Sequence, residues 1–198
     1  MDNVTRSERS RKAVLEAALA IIARDGPGRL TLDAIARESG ISKGGLVHQF
    51  RSKEAVLKAL LERQTKHYEE FARNYLAQSG SALSEPELAA QIATWREAAT
   101  EPRSFAFTIL GAMAEDPGLL SGARETDARK IDGIKAEAAD PELATLRWAA
   151  ARGLALTALL GICPLSARER ARLFDRLLDS GRWSTPKKAG KKRLPRAK

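Results

Sequence analysis

Apolar residues recur every three or four positions along most of the chain, which is the spacing of one face of an α-helix. The first stripe lies within residues 6–24 and includes Val14, Ala18 and Ile21. Gly26, followed by a proline, ends the stripe, because glycine suits the position after a helix and proline cannot continue one. The pattern therefore predicts a long helix near the start of the chain.

Three hydroxyl residues, Thr31, Ser42 and Ser52, each precede a segment with helical spacing of apolar residues. Threonine and serine favour the N-cap because their side-chain oxygen accepts a free backbone N–H of the first turn. The helix after Thr31 must stop near Gly40, whereas the helix after Ser52 keeps its spacing as far as residues 79–81. Four helices are therefore predicted in the first 78 residues.

Capping signals also mark helix starts in the rest of the chain. Ser84 to Glu87 and Ser166 to Glu169 have the spacing of capping boxes, and Asp116 and Asp140 are each followed by proline, which favours the first helical position. The helix after Asp140 contains the nearly uniformly apolar residues 148–163, so we expect it to be buried on several faces. The pattern as a whole predicts an all-α fold.

The composition supports that fold class. The 198 residues include 35 alanines and 25 leucines but only 4 valines, and sheets favour β-branched residues. Hydrophobic residues make up 43% of the chain and charged residues 30%, which argues against a wholly disordered protein and against a membrane protein. A globular helical protein with a sizeable core is expected.

The chain has few of the side chains that bind metals or act as catalytic nucleophiles. His48 and His67 are the only histidines and Cys163 is the only cysteine, so neither a His/Cys metal cluster nor a Cys–His nucleophilic pair is expected. A carboxylate pair assembled from several helices is the one catalytic arrangement that the sequence leaves open. We therefore expect that the protein is not an enzyme and that it binds neither a metal nor a cofactor. The single cysteine, the polar start of the chain and the lack of a membrane-length apolar run favour an unprocessed cytoplasmic protein with no membrane span.

The net charge of +9 is concentrated at one end of the chain. Residues 182–198 contribute +8, residues 1–63 contribute +4 and residues 64–181 contribute −3. The last segment also contains proline and glycine and few apolar residues, so we predict a disordered basic tail at 182–198. Contact with nucleic acid, contact with an anionic membrane and simple solubilisation all remain open for this tail.

Residues 32–50 have the pattern of two short helices joined by a tight turn. Ala36 supplies the small side chain needed where the helices cross, and Gly40 tolerates the positive φ of the turn. The inward positions of the pair are Ile35, Ile41, Leu46 and Phe50. This is a helix-turn-helix, whose second helix is expected in the DNA major groove.

Two glycines in the second helix, Gly44 and Gly45, need an explanation, because each costs about 1 kcal/mol relative to alanine inside a helix. We expect them to let the backbone at the helix start approach a phosphate or base closely. Replacement of Gly45 by a bulky residue should then weaken DNA binding without loss of stability. Mere tolerance of glycine on a surface helix is the alternative.

Polar and basic residues gather at the helix starts of this region, where they suit phosphates. Gln49 can pair with adenine through two hydrogen bonds, and Val47 can touch a thymine methyl group. The expected DNA-contacting residues are Thr31, Ser42, Lys43, Gly44, Gly45, Val47, His48, Gln49, Ser52 and Lys53.

These motifs resemble the TetR (tetracycline repressor) family of transcriptional regulators over roughly residues 11–61. The resemblance rests on an ordered set of features. They are Ala17 and Ile21, the Gly26 break, the run Thr31-Leu32-Asp33-Ala34-Ile35-Ala36, the turn Gly40-Ile41-Ser42-Lys43-Gly44, and the run Phe50-Arg51-Ser52-Lys53-Glu54-Ala55-Val56-Leu57 before a long fourth helix. By resemblance, Lys53 is a phosphate-binding lysine.

The recognition helix departs from the family pattern. Members commonly have tyrosine at the position of Val47 or His48 and histidine at the position of Gln49. The side chain that makes this tyrosine's phosphate contact in the family is therefore absent from these positions. His48 either replaces it or packs at the edge of the first helix.

The resemblance implies an all-helical homodimer with three regions: a DNA-binding domain at 1–51, a ligand-binding and dimerisation domain at 52–181, and the basic tail at 182–198. It implies dimerisation through the helices at 141–162 and 166–180, where small residues allow close approach. A small-molecule site is expected among the middle helices. The large side chains available to line it are Trp95, Phe105, Phe107, Leu110, Met113 and Trp148.

The expected function is that of a ligand-responsive repressor that releases a palindromic operator when a small molecule binds the C-terminal domain. Activation by the ligand and control by a partner protein remain open. The competing hypothesis is a non-inducible architectural DNA-binding protein, in which the basic tail supplies affinity without sequence selection.

Overall fold

The computed structural model describes residues 3–79, 83–100 and 103–183, with side chains described from residue 7 onward and not at residues 103–105. All regular structure in these residues is helical, which confirms the predicted all-α class. The predicted disorder at 182–198 is wrong for its first two residues: Arg182 ends a 3₁₀ turn, and Trp183 donates a hydrogen bond to the backbone oxygen of Arg176. From residue 184 onward the predicted tail lies outside the described residues. No described helix is both long enough and apolar enough to cross a membrane.

Nine α-helices lie in the described part of the chain: α1 (Asn3–Asp25), α2 (Leu32–Ser39), α3 (Lys43–Gln49), α4 (Lys53–Ser79), α5 (Pro86–Ala98), α6 (Arg103–Glu115), α7 (Ser121–Glu137), α8 (Pro141–Leu159) and α9 (Ala167–Leu178). Short 3₁₀ turns lie at Pro27–Arg29, Pro117–Leu120 and Ser180–Arg182.

Most of the predicted caps are present as hydrogen bonds. The Oγ1 of Thr31 accepts the backbone N–H of Ala34 at 3.1 Å, and the Oδ1 of Asp140 accepts that of Leu143 at 3.0 Å. Ser166 forms a complete capping box, because its hydroxyl and the carboxylate three residues later each accept the other's backbone N–H. The helix boundaries read from these signals are therefore confirmed.

The predicted capping box at Ser84 to Glu87 is wrong. α5 begins at Pro86, and its N-cap, Glu85, makes no capping hydrogen bond through its side chain. The carboxylate of Glu137, from the end of α7, accepts the backbone N–H groups of Glu87 and Leu88 at 3.0 and 2.8 Å. A distant acid thus satisfies the helix start, which spacing along the chain could not reveal.

Two other boundaries differ from the sequence prediction. α8 ends at Leu159 rather than at residue 162, because Gly161 adopts a left-handed φ of 71° that stops the helix. Asp116 caps a 3₁₀ turn rather than an α-helix, and α7 follows that turn. Within one chain the apolar stretch that begins at residue 148 is also not buried on every face, since Ala149, Ala150 and Gly153 are exposed.

Two clusters of buried side chains form the core. The first is built by α1, α2, α3 and the first turns of α4, and includes Ile21, Ile35, Leu46 and Val56. The second joins α5, α7, α8 and α9. Arg147 of α8, only 4% exposed, ties α9 to the segment before α5, because its guanidinium donates to the backbone oxygen of Leu177 and pairs with Glu85.

Candidate nucleic-acid interface

The helix-turn-helix consists of α2 and α3, with α2 packed against both α1 and α3. Gly40 lies between them with a φ of 69°, the left-handed conformation expected for the turn. The inward side chains of Ile35 and Leu46 are fully buried, so the two helices are held at a fixed angle. The outer face of α3 is left free for a partner.

α3 presents most of the predicted contact residues to solvent. Lys43, Gly44, Val47 and His48 are exposed. Gln49 is half-buried, and its carbonyl oxygen is buried with no hydrogen-bond donor among the described residues. A paired contact with adenine therefore requires this side chain to rotate outward.

The two glycines of α3 differ in their surroundings. A Cβ on Gly44 would meet no atom within 4 Å, whereas a Cβ on Gly45 would lie 3.2 Å from the Oγ of Ser42 and 3.3 Å from the Cγ2 of Ile41. Packing against Ser42 and Ile41 therefore explains part of the need for glycine at position 45. We no longer expect a bulky residue there to leave the stability of the protein unchanged. Gly44 has no packing reason within the described chain.

The three predicted hydroxyls at the helix starts all act as caps. Ser42 accepts the backbone N–H of Gly45 at 3.2 Å, and Ser52 accepts that of Ala55 at 3.3 Å, in the same way as Thr31 on α2. A capping hydroxyl keeps its own proton, which it can donate to a phosphate oxygen. Capping and DNA contact are therefore compatible at these residues.

An ion pair braces α1 against α2. The guanidinium of Arg24 donates to both carboxylate oxygens of Glu38, at 3.2 and 3.0 Å. These hydrogen bonds, with the positive charge of Arg24, hold the pKa of the Glu38 carboxyl below its usual value. Both groups lie at the surface, so the pair orients the helices more than it adds stability.

Both predicted phosphate-binding lysines already have acidic partners. Lys43 pairs with Asp33 of α2 at 2.9 Å, and both side chains are well exposed. Lys53, at the first position of α4, pairs with Glu115 at 2.5 Å, and these side chains are 27% and 34% exposed. We call α1–α3 with the first turns of α4, which share the first buried cluster, the DNA-binding half, and we call α5–α9 the C-terminal half. Glu115 is the last residue of α6, so this second pair joins the two halves.

The six predicted ligand-lining residues do not all come together. Trp95 and Trp148 lie in one cluster, whereas Phe107 packs against the core of the DNA-binding half. Leu110 and Met113 are exposed on α6, and the side chain of Phe105 lies outside the described part. A spacing argument along α6 could not tell which of its faces points inward.

Sequence reasoning missed three charged residues that form ion pairs in the structure: Glu115, which pairs with Lys53, and Arg152 and Asp127, which pair with each other. A signal for Arg152 was present, since a lone arginine within an apolar helix needs a partner. Glu115 carries no such signal, because an acid at the end of a helix is ordinary. Among the described residues, no group of three or more histidine, cysteine, aspartate or glutamate side chains is arranged to hold a metal.

Two family models match the chain. The model described as "Bacterial regulatory proteins, tetR family" matches residues 14–60, and the model described as "Tetracyclin repressor-like, C-terminal domain" matches residues 86–180. Together they span most of the described helices. No curated protein matches this chain.

Solved structures share the fold at low sequence identity. A TetR family transcription regulator from Marinobacter aquaeolei VT8 has a TM-score of 0.61 and 18% identity, covering 89% of this chain and 97% of that one. NalD of Pseudomonas aeruginosa has a TM-score of 0.61 and 16% identity, covering 87% and 95%. FadR of Bacillus halodurans has a TM-score of 0.59 and 16% identity, covering 85% and 94%.

The helix-turn-helix on α2 and α3, the long α4 and the separate helical C-terminal half agree with both family models. This chain therefore belongs to the TetR family of non-enzymatic, DNA-binding transcriptional regulators.

Proposed function

We propose that this regulator is a ligand-responsive repressor, which releases a palindromic operator when a small molecule binds its C-terminal domain. The observation that carries the proposal is the ion pair between Lys53 and Glu115, which joins the start of α4 to the end of α6. Lys53 is the residue that the family resemblance assigns to a DNA phosphate. A contact from the C-terminal half therefore competes with DNA for one side chain.

Electrostatic repulsion explains why DNA and Glu115 compete for Lys53. A phosphate bound by Lys53 lies close to the carboxylate of Glu115, and like charges at short range repel each other. DNA binding therefore favours an arrangement with Glu115 moved away, and the ligand favours the arrangement with the pair closed. Each then weakens the other by the same factor, because coupling between two sites is reciprocal.

The DNA contacts in this proposal follow the exposed side of the helix-turn-helix. Lys43 and Lys53, with the hydroxyls of the three capping residues, bind phosphates. Val47, His48 and a rotated Gln49 face the base edges. The full set is Thr31, Ser42, Lys43, Gly44, Gly45, Val47, His48, Gln49, Ser52 and Lys53.

A second copy of the chain covers the exposed face of α8 in this proposal. Leu146, Ala149, Ala150 and Gly153 are exposed on that helix at spacings of three and four, so they form one continuous stripe. Unpartnered leucine with small residues suits close helix packing across a twofold axis. With α9, this face gives the dimer that a palindrome requires.

Of two structural neighbours with a described role, one is a repressor. The NalD structure is described as the secondary repressor of the MexAB-OprM multidrug efflux pump, and the FadR structure as a fatty acid degradation regulator. We extend repression, and not those targets, to this chain.

The test begins with selection of a binding sequence from random duplex DNA by the full-length protein. Binding of that duplex and of a scrambled duplex is then measured by fluorescence anisotropy at two salt concentrations. A repressor keeps a preference of at least about a thousandfold for a palindrome. Equal binding of both duplexes would support the architectural alternative and overturn the proposal.

A further inference from the structure

Two tryptophans share one arginine in the C-terminal half. The guanidinium carbon of Arg152, on α8, lies 5.4 Å from the ring centroid of Trp95 on α5 and 5.1 Å from that of Trp148 on α8. Its Nη1 also donates to the Oδ2 of Asp127, on α7, at 2.6 Å. We call these four side chains from three helices the indole–arginine cluster.

Both indoles of the cluster have an unpaired polar atom. The Nε1 atoms of Trp95 and Trp148 are buried and have no hydrogen-bond acceptor among the described residues. Buried donors are nearly always paired, because an unpaired one costs the desolvation of the group. Trp183 shows the usual outcome, since it also lies under an arginine but donates to the backbone oxygen of Arg176 at 2.8 Å.

We propose that the indole–arginine cluster is the effector site and that its ligand is a neutral, flat, conjugated molecule with a carbonyl acceptor, such as an aromatic lactone, ketone or amide. This proposal rests on the proposed function above. The two unpaired N–H groups call for an acceptor, which a hydrocarbon lacks. The rings and the guanidinium are planar, so they suit a flat partner that stacks on them.

Charge selects a neutral ligand over an acid. The positive charge of Arg152 is already compensated by the carboxylate of Asp127, so an anionic ligand would enter beside another anion. A carbonyl oxygen accepts from an indole N–H without that repulsion. A ligand with an acceptor gains a hydrogen bond from an N–H that is unpaired in the free protein, whereas a ligand without one gains nothing there, which makes acceptors the basis of selectivity.

Entry of the ligand provides a route to the DNA-binding half. Both indole nitrogens are buried, so an acceptor reaches them only if α5 and α8 move apart around the cluster. α5 packs against α4 as well as against α8. Because α4 begins at Lys53, movement of α5 is transmitted to the residue that pairs with Glu115.

Binding of three matched probes to the full-length protein tests the ligand class by titration calorimetry. Coumarin is flat and neutral with a carbonyl acceptor, coumarin-3-carboxylate adds a negative charge, and naphthalene has no acceptor. We expect coumarin to bind most tightly. Trp95→Phe and Trp148→Phe should each weaken its binding by about two- to tenfold, the effect of one lost hydrogen bond. Trp183→Phe is the matched control and should leave coumarin binding unchanged.

Thermal unfolding of the same variants, without ligand, tests the unpaired donors themselves. Trp95→Phe and Trp148→Phe should keep or raise Tm, whereas Trp183→Phe removes a formed hydrogen bond and should lower it. The inference is overturned if coumarin does not bind, if either other probe binds as tightly, or if all three variants lower Tm equally.

Operator binding separates this inference from the proposed function. A protein that binds its palindrome but not coumarin contradicts the effector site and leaves repression standing. If the protein binds coumarin through Trp95 and Trp148 but stays bound to its operator, the ligand site is supported and the proposed ligand-driven release is contradicted.

Discussion

Gly111 of α6 lies so close to Pro27, in the turn between α1 and α2, that a Cβ on the glycine would be 2.6 Å from the Cβ of the proline. Such a separation is far below van der Waals contact, and a proline ring cannot rotate away. The backbone of α6 therefore rests directly on the DNA-binding half. This contact and the pair between Lys53 and Glu115 hold α6 at two points.

Gly111→Ala tests this close approach. The added methyl should force α6 away from Pro27 and lower the free energy of unfolding by about 1–3 kcal/mol, the usual cost of overpacking. Urea unfolding measures the change. Gly133→Ala on α7 is the control, because its Cβ meets only the Cγ of Glu87, at 3.5 Å. That control should gain about 0.5–1 kcal/mol from helix propensity. Equal effects would show that α6 has room to move.

Glu115→Gln tests competition for Lys53. With the carboxylate neutralised, Lys53 becomes free to bind phosphate, and operator affinity should rise about two- to fivefold, equivalent to up to about 1 kcal/mol. Fluorescence anisotropy with the selected operator measures it. Glu125→Gln, at an exposed position of α7, makes the same change in net charge. If both variants bind alike, the effect belongs to overall charge and the specific coupling is rejected.

Gly44→Ala separates helix stability from DNA access. Because a Cβ there meets nothing in the free protein, the variant should be more stable by about 0.5–1 kcal/mol. If the backbone of α3 approaches DNA closely, the same methyl should weaken operator binding by about fivefold or more, the size of a base mismatch. Gly45→Ala should be less stable than Gly44→Ala, since its Cβ is crowded by Ser42 and Ile41. Unchanged operator binding by Gly44→Ala would indicate that glycine is merely tolerated at this position of a surface helix.

Leu146→Glu tests the α8 dimer face. A charge at this exposed position should leave the fold of the subunit intact but prevent burial against a second copy. We expect a monomer in sedimentation analysis, and operator binding weaker by about a hundredfold or more, because two half-sites no longer act together. Met113→Glu, at a 50% exposed position on α6, is the control and should remain dimeric. A dimeric Leu146→Glu protein would place the interface elsewhere.

The pair between Arg24 and Glu38 predicts a pH dependence at acid pH. The pKa of Glu38 is lowered in the folded protein by its hydrogen bonds to Arg24, so the pair contributes stability above the unfolded pKa of about 4.5. That contribution is lost as the pH falls through the lower, folded value. Urea unfolding between pH 7 and pH 3 should therefore show a smaller difference between the wild type and Glu38→Gln as the pH falls. Arg24→Gln should reproduce the flatter profile, and a difference that grows with acid would contradict the assignment.

Local signals in the sequence predicted the helix-turn-helix well because its geometry is local. Thr31 and Ser42 cap helices that begin within three residues of them, and Gly40 adopts the positive φ that only glycine accepts readily. The buried faces of α2 and α3 follow from residue spacing. The capping box at Ser166 was also predicted correctly, because its two partners lie only three residues apart.

Local sequence signals did not predict contacts in which the partner residue comes from a distant part of the chain. The start of α5 is capped by Glu137, about fifty residues away, so the local spacing at Ser84 misled. The predicted ligand-lining residues on α6 do not join Trp95 and Trp148 in one cluster, for a related reason. Large apolar side chains at helical spacing do not say which neighbour they will meet, and Leu110 and Met113 face solvent.

The order of caps, glycines and apolar stripes along the chain determined the all-α class and the DNA-binding motif, because those features act within one helical turn. Only the tertiary structure decided that Lys53 is held by Glu115 and that Arg152 lies against Trp95 and Trp148. Charge pairs and stacked rings form between helices whose separation in space is fixed by core packing, and core packing depends on all of the helices at once.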